Sequence, residues 1–136
     1  MIIMIGNLPK EVLEAVLETI PIEFSVLDKN DNVLGWNKQN TRIFKRPKGV
    51  IGRNVRKCHP QTSLEKVEKI LKNFKEKKRD KDRFWIDLMQ ETKKLKVLIE
   101  YYALRDENGD YIGCLEASQE ISEIQSCNIC THGSQA

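Results

Sequence analysis

The chain reads as an α+β domain in which helices are segregated around one antiparallel sheet. Three observations predict this class. Apolar residues recur at helical spacing in two separate stretches, 12–20 and 64–74. After residue 83 the pattern changes to alternation with period two. Asn108-Gly109, the strongest short hairpin signal, then joins the last two alternating stretches.

Asn7-Leu8-Pro9 reads as a helix start, with Asn7 as cap and Pro9 inside the first turn. Val12, Leu13, Val16, Leu17 and Ile20 form its apolar stripe, Glu11, Glu14 and Glu18 lie opposite, and Pro21 ends it. Glu23–Leu27 and Val33–Asn37 are short strands around the turn Asp28-Lys29-Asn30-Asp31-Asn32, so 23–37 is a β-hairpin. Asn40 to Phe44 is expected as a short helix, and Pro47, Gly49 and Gly52 keep the next stretch irregular. Thr62-Ser63-Leu64-Glu65 fits a capping box, opening a long helix whose Leu64, Val67, Ile70, Leu71 and Phe74 share one side. Glu65–Lys69 and Glu68–Lys72 stand four apart on its other face, in the favourable orientation. Arg83–Gln90 sets Phe84, Ile86 and Leu88 against Trp85, Asp87 and Met89. Leu95–Leu104 puts Leu95, Val97, Ile99, Tyr101 and Ala103 on one face, and Tyr111–Ser118 closes the hairpin.

Composition bounds the function classes. The 136 residues suit one domain, and 40% hydrophobic with 32% charged residues is ordinary for a globular protein. A net charge of +3 gives no nucleic-acid footprint, and the lysine-rich stretch from Lys72 to Arg83 reads as a solvated helix face and its exit loop. The apolar start Met1–Gly6 is too short for a signal peptide and lacks a basic leading region. No run is long enough to span a bilayer. A cytoplasmic location with reduced cysteines is therefore expected. Two histidines and no Ser-His-Asp set, phosphate loop or paired catalytic carboxylates argue against an enzyme.

Across the chain the punctuation resembles a PAS domain. Phe24-Ser25-Val26-Leu27-Asp28 with Val33-Leu34-Gly35-Trp36-Asn37 is similar to the opening PAS hairpin. Ile51-Gly52-Arg53-Asn54-Val55 resembles the motif that leads into the long PAS helix, and Arg105 to Gly113 resembles the last hairpin. Glu120-Ile121-Ser122-Glu123-Ile124 resembles the Asp-Ile-Thr element at which PAS domains hand over to a downstream helix. Cys58-His59-Pro60, Ser63, Val67 to Leu71 and Phe84-Trp85-Ile86 are similar to PAS domains attached to hemerythrin-like or uncharacterised bacterial and archaeal regulators. The resemblance implies a five-stranded antiparallel sheet with the long helix across one face, and a cleft that holds a small ligand or is filled by side chains. It also implies a division into a flanking helix (1–21), a PAS domain (22–124) and a cysteine-containing tail (125–136).

Within that frame His59 and Cys58 are candidate ligands for b-type haem in the cleft. The alternative is that His59 hydrogen-bonds locally while Cys58 packs. Trp36, Phe44, Ile70, Phe74 and Trp85 are the side chains expected around a bound cofactor. Cys127, Cys130 and His132 offer three ligands to zinc or iron, with a fourth needed from Cys58, His59, Cys114 or a second subunit. Thr131 separates Cys130 from His132 and so excludes covalent c-type haem attachment. The expected function is a sensory or regulatory module whose cleft ligand changes how helix and sheet pack. Its signal would pass through a homodimer, a signalling partner protein or an effector domain outside this chain. The alternatives are a ligand-free dimerisation or interaction domain, and a metal or redox sensor built on the tail cysteines.

Overall fold

A computed structural model describes residues 6–122. Helix α1 (Lys10–Thr19) precedes strands β1 (Glu23–Asp28) and β2 (Val33–Trp36). Irregular chain with single 3-10 turns at Lys48–Val50 and Val55–Lys57 leads to helix α2 (Gln61–Lys75). Strands β3 (Lys81–Gln90), β4 (Lys93–Arg105) and β5 (Tyr111–Glu120) come after it. The strands form one antiparallel sheet in the order β2-β1-β5-β4-β3, which puts the chain's first and last hairpins side by side through the β1–β5 pairing. Among the described residues no helix is long and apolar enough to cross a membrane.

Strand register gives the inner face its character. Phe84 pairs with Ile99, Ile86 with Val97 and Leu88 with Leu95, so the β3–β4 half is apolar. Across β5 and β1 the same face carries the rows Ile99–Ser118–Glu23 and Tyr101–Glu116–Ser25, and then Ala103–Cys114–Leu27. One half of the floor is therefore hydrocarbon and the other holds two carboxylates and three hydroxyls. Against this floor α2 buries Val67, Ile70, Leu71 and Phe74, the last fully.

Polar ties fix α2 in place. Asp31, buried and in the left-handed region at φ 70°, accepts from Arg56 Nη1 at 3.0 Å and Lys75 Nζ at 2.7 Å. Arg105 Nη2 donates to Phe74 O at 2.8 Å. The C-terminal turn of α2 is thus held by the first hairpin and by β4. At the far edge Ser122 Oγ accepts from Lys96 N at 3.0 Å, and Ile121 N donates to Lys96 O at 2.9 Å, so the Glu120-Ile121-Ser122 element is laced to β4.

Several local expectations change. Pro9 is the residue before α1, and among the described residues no side chain caps that helix, Asn7 included. The expected helix at 40–44 is a turn followed by irregular chain, because Arg42 is drawn inward across β1. The Thr62–Glu65 capping box does not form. Pro60 takes the cap position, before Thr62, and Ser63 Oγ donates to Pro60 O at 3.2 Å. Glu68 pairs with Arg56 at 2.6 Å rather than with Lys72, and no Glu65–Lys69 ion pair is present among the described residues. Strand β3 begins at Lys81, earlier than its alternation suggests.

Candidate functional site

Between the first turns of α2 and the sheet lies a cavity of about 640 Å³, within the range of small-molecule sites. Its floor is Phe84, Ile86, Leu88 and Ile99 on the apolar half and Tyr101 and Glu116 on the polar half. Its roof is Pro60, Thr62, Ser63, Lys66 and Val67 at the start of α2. Cys58 and His59 close one side, and the segment Ile43 to Arg46 closes another.

The Ile43–Arg46 wall is held by a buried guanidinium. Arg42 is 2% exposed. Its Nε donates to Phe44 O at 2.9 Å, and its Nη1 to Phe24 O at 3.1 Å and Asn37 O at 2.8 Å. Its Nη2 lies 3.3 Å from both Ser25 Oγ and Glu23 Oε2. Glu23 completes the knot by accepting from Ile43 N at 2.6 Å and Phe44 N at 3.2 Å. Burial lowers the Arg42 pKa while the Glu23 charge opposes that shift. An arginine with its fork fully engaged is a structural strut.

At the polar end of the cavity Arg46 Nη2 lies 3.4 Å from Glu116 Oε1, and Arg46 Nε is buried with no hydrogen-bond partner. Burial, followed by the Glu116 charge, holds the Tyr101 phenol well above its usual range. On the roof, Lys66 Nζ stands 3.8 Å from the centroid of the Phe84 ring, a cation–π geometry.

His59 and Cys58 make local bonds and still border the cavity. His59 Nδ1 lies 3.2 Å from Val55 O, and Cys58 Sγ lies 3.6 Å from Asn54 O, so both reach back to the 3-10 turn before them. Phe44 joins them in the lining, whereas Ile70 and Phe74 lie in the packed core and do not border the cavity. Trp85 is 58% exposed on the opposite sheet face. Trp36 lines a separate depression with Glu18, Gln39, Lys48 and Ile51, and its indole N–H donates to Gln39. Cys127, Cys130 and His132 lie outside the described residues. Within the described residues no three His, Cys, Asp or Glu side chains cluster as a metal site. No sequence motif singles out Lys66, Arg46, Tyr101 or Glu116; the signal that marks Tyr101 and Glu116 is their parity with inward neighbours on β4 and β5.

Comparison with known proteins agrees with this architecture. A family model described as PAS domain matches residues 13–122. A C-terminal domain from Streptococcus mutans is similar over 94% of this chain and 96% of its own, at 30% identity and a TM-score of 0.81. The PAS domain of Bordetella pertussis BvgS shares the fold at 18% identity and TM-score 0.63, covering 92% of this chain and 95% of that one. A sensory box sensor histidine kinase from Vibrio cholerae does so at 11% identity and TM-score 0.54, covering 83% and 92%. No curated protein matches the chain.

Proposed function

Since the chain belongs to the PAS domain family, whose members are typically sensory rather than catalytic, we propose that it is a signalling module that takes a small molecule into the α2–sheet cavity. The observation that carries this is the cavity itself: about 640 Å³, walled by apolar side chains with a few convergent polar groups. Residues 22–124 act as the sensory unit, with the flanking helix before it. Occupancy favours one packing of α2 on the sheet over another, since a ligand shifts an equilibrium only by binding two arrangements unequally. The C-terminal turn of α2 is tied to Asp31 and Arg105, so the N-terminal turns that roof the cavity are the part free to respond. Native mass spectrometry of the untreated protein tests this, reporting bound mass and subunit number together. Protein that carries no ligand, and binds none from a metabolite extract, would refute the sensory reading.

One contact favours b-type haem as that molecule. With its proton on Nδ1, donated to Val55 O at 3.2 Å, His59 would present a free Nε2 lone pair, the arrangement in which histidine ligates metal. Haem, if bound, would be held by His59 with Cys58 beside it and would supply gas or redox sensing. Titration with haemin should give a saturable Soret band that His59→Ala abolishes; an unchanged band in that variant rules the ligand out. Output passes through a homodimer or a partner protein in the cytoplasm. The exposed stripe Val12, Leu13, Val16 and Leu17 on α1, a helix with no buried residue, is the surface this reading assigns to pairing.

A further inference from the structure

The cavity carries an imbalance of charge. Lys45, Arg46 and Lys66 reach its lining against one carboxylate, Glu116. That carboxylate is already engaged by Arg46 at 3.4 Å, with the two side chains only 15% and 14% exposed. Lys66 has no carboxylate partner among the described residues; its ammonium rests over the Phe84 ring at 3.8 Å. Lys45 has none either, and both lysines are exposed at the rim while the hydrocarbon floor lies inside. Around them the first turn of α2 has no side-chain cap, so its free amides add potential of the same sign.

These positions discriminate among ligands. A cation would meet three like charges and find the single carboxylate occupied. A neutral apolar molecule would fill the floor but leave the rim charges unused. An anion with an apolar body satisfies both ends, because its charged group stays at the half-solvated rim, where desolvation costs little. Its hydrocarbon replaces water on Ile86, Leu88 and Ile99, inward of the Phe84 ring that Lys66 covers. We propose that the cavity selects an amphipathic organic anion, with a carboxylate bound by Lys66 and Lys45 at the rim and an apolar body on the β3–β4 floor. This rests on the reading that the cavity takes a small ligand, and it names the chemistry of that ligand. Haem, with two propionates, is one source of this chemistry, and a free carboxylic acid is the other.

Calorimetric titration of the full chain with 4-phenylbutyrate, 4-phenylbutanol, 4-phenylbutylamine and, separately, haemin tests the proposal. The acid should bind at least about tenfold tighter than the alcohol or amine, and its affinity should fall with added salt, as a rim ion pair requires. Lys66→Met keeps the apolar stem; it should weaken the acid at least about fivefold and leave the alcohol unchanged. Alcohol or amine binding as tightly as the acid overturns the charge assignment and leaves the cavity reading standing. If haemin alone binds, Lys66→Met must weaken it likewise, and an unchanged haemin affinity overturns the assignment. Failure of all four against protein folded by circular dichroism overturns this inference, and the cavity reading falls with it only if native mass spectrometry also finds no bound mass from a metabolite extract.

Discussion

Arg42→Met is the perturbation that tests most directly how the cavity wall is held. The wild-type guanidinium spans three backbone carbonyls, one hydroxyl and one carboxylate, all between 2.8 and 3.3 Å. Methionine fills much of the volume and makes none of these bonds. It leaves Glu23, 5% exposed, without its cation, and breaking a buried pair by removing one partner costs about 3–5 kcal/mol. Glu23 keeps the amides of Ile43 and Phe44, which sets the expectation at the lower end, about 3 kcal/mol. Such a loss is a large share of the roughly 5–15 kcal/mol typical of a domain. In urea, with a slope of about 1.5–3 kcal/mol per molar, the midpoint should fall by about 1–2 M. Arg42→Lys should recover less than half of this, since one ammonium cannot reach acceptors spread around a planar fork. A cycle with Glu23→Gln should show coupling of at least about 1 kcal/mol. An Arg42→Met loss below about 1 kcal/mol would mean that Ile43–Arg46 is held by something other than this knot.

Gly113→Ala places a Cβ against Leu27 O of the neighbouring strand, closer than real Cβ atoms approach a backbone atom. A loss of about 1–3 kcal/mol is expected in thermal or urea unfolding, and no loss would mean the β1–β5 register is wrong. Cys114 has its thiol pushed up to about 12, first by burial and then by the Glu116 and Asp31 charges. The unfolded thiol ionises near 9.0, so this contribution is complete below that pH and is lost as pH rises towards 12, at up to about 1.4 kcal/mol per unit. Unfolding of Cys114→Ala compared with wild type at about pH 8 and about pH 10.5, either side of the unfolded thiol's range, should show the smaller alkaline loss in the variant. Equal losses would refute the burial argument. For pairing through α1, sedimentation should report a dimer that Val12→Glu with Val16→Glu converts to a monomer; a monomeric wild type would end that assignment.

Much of the fold is legible in the sequence because it depends on periodicity and strong turn chemistry. The apolar stripe of α2 and the alternation of β3 and β4 each identify an element from its own residues. Asn108-Gly109 locates the last hairpin, yet only Gly109 takes a positive φ, at 82°. The loop is organised by Asp106, whose carboxylate accepts from Asn108 N at 2.9 Å and Asp110 N at 3.0 Å. Its start is therefore set by a side chain outside the dipeptide rule. The capping box fails for a related reason. Its pattern is present, but proline at 60 already supplies the extended residue from which a helix can begin. The helix expected at 40–44 takes arginine for the surface residue it ordinarily is, and nothing local shows that Arg42 finds its partners on other segments.

Cys58, His59 and Phe44 lie off the sheet and line the cavity as their sequence context suggests, whereas on the strands the site is legible only through parity. Trp85 is an expected cleft residue because it is large and aromatic, yet its place between Phe84 and Ile86 sends it to the other face. The same rule applied to β4 and β5 puts Tyr101, Glu116 and Ser118 inward, and applied to β1 it puts Glu23 and Ser25 there. Polar groups on an inward face are costly unless satisfied, so their recurrence on three strands is itself a signal that the face holds more than a hydrocarbon core. Parity cannot show that these residues lie abreast, because that depends on the β1–β5 pairing, which joins the first and last strands of the chain. Once that register is known, the two kinds of floor fall side by side under α2. A ligand resting there must answer to both, which is why the charge on its head group is the property that most sharply tests the site.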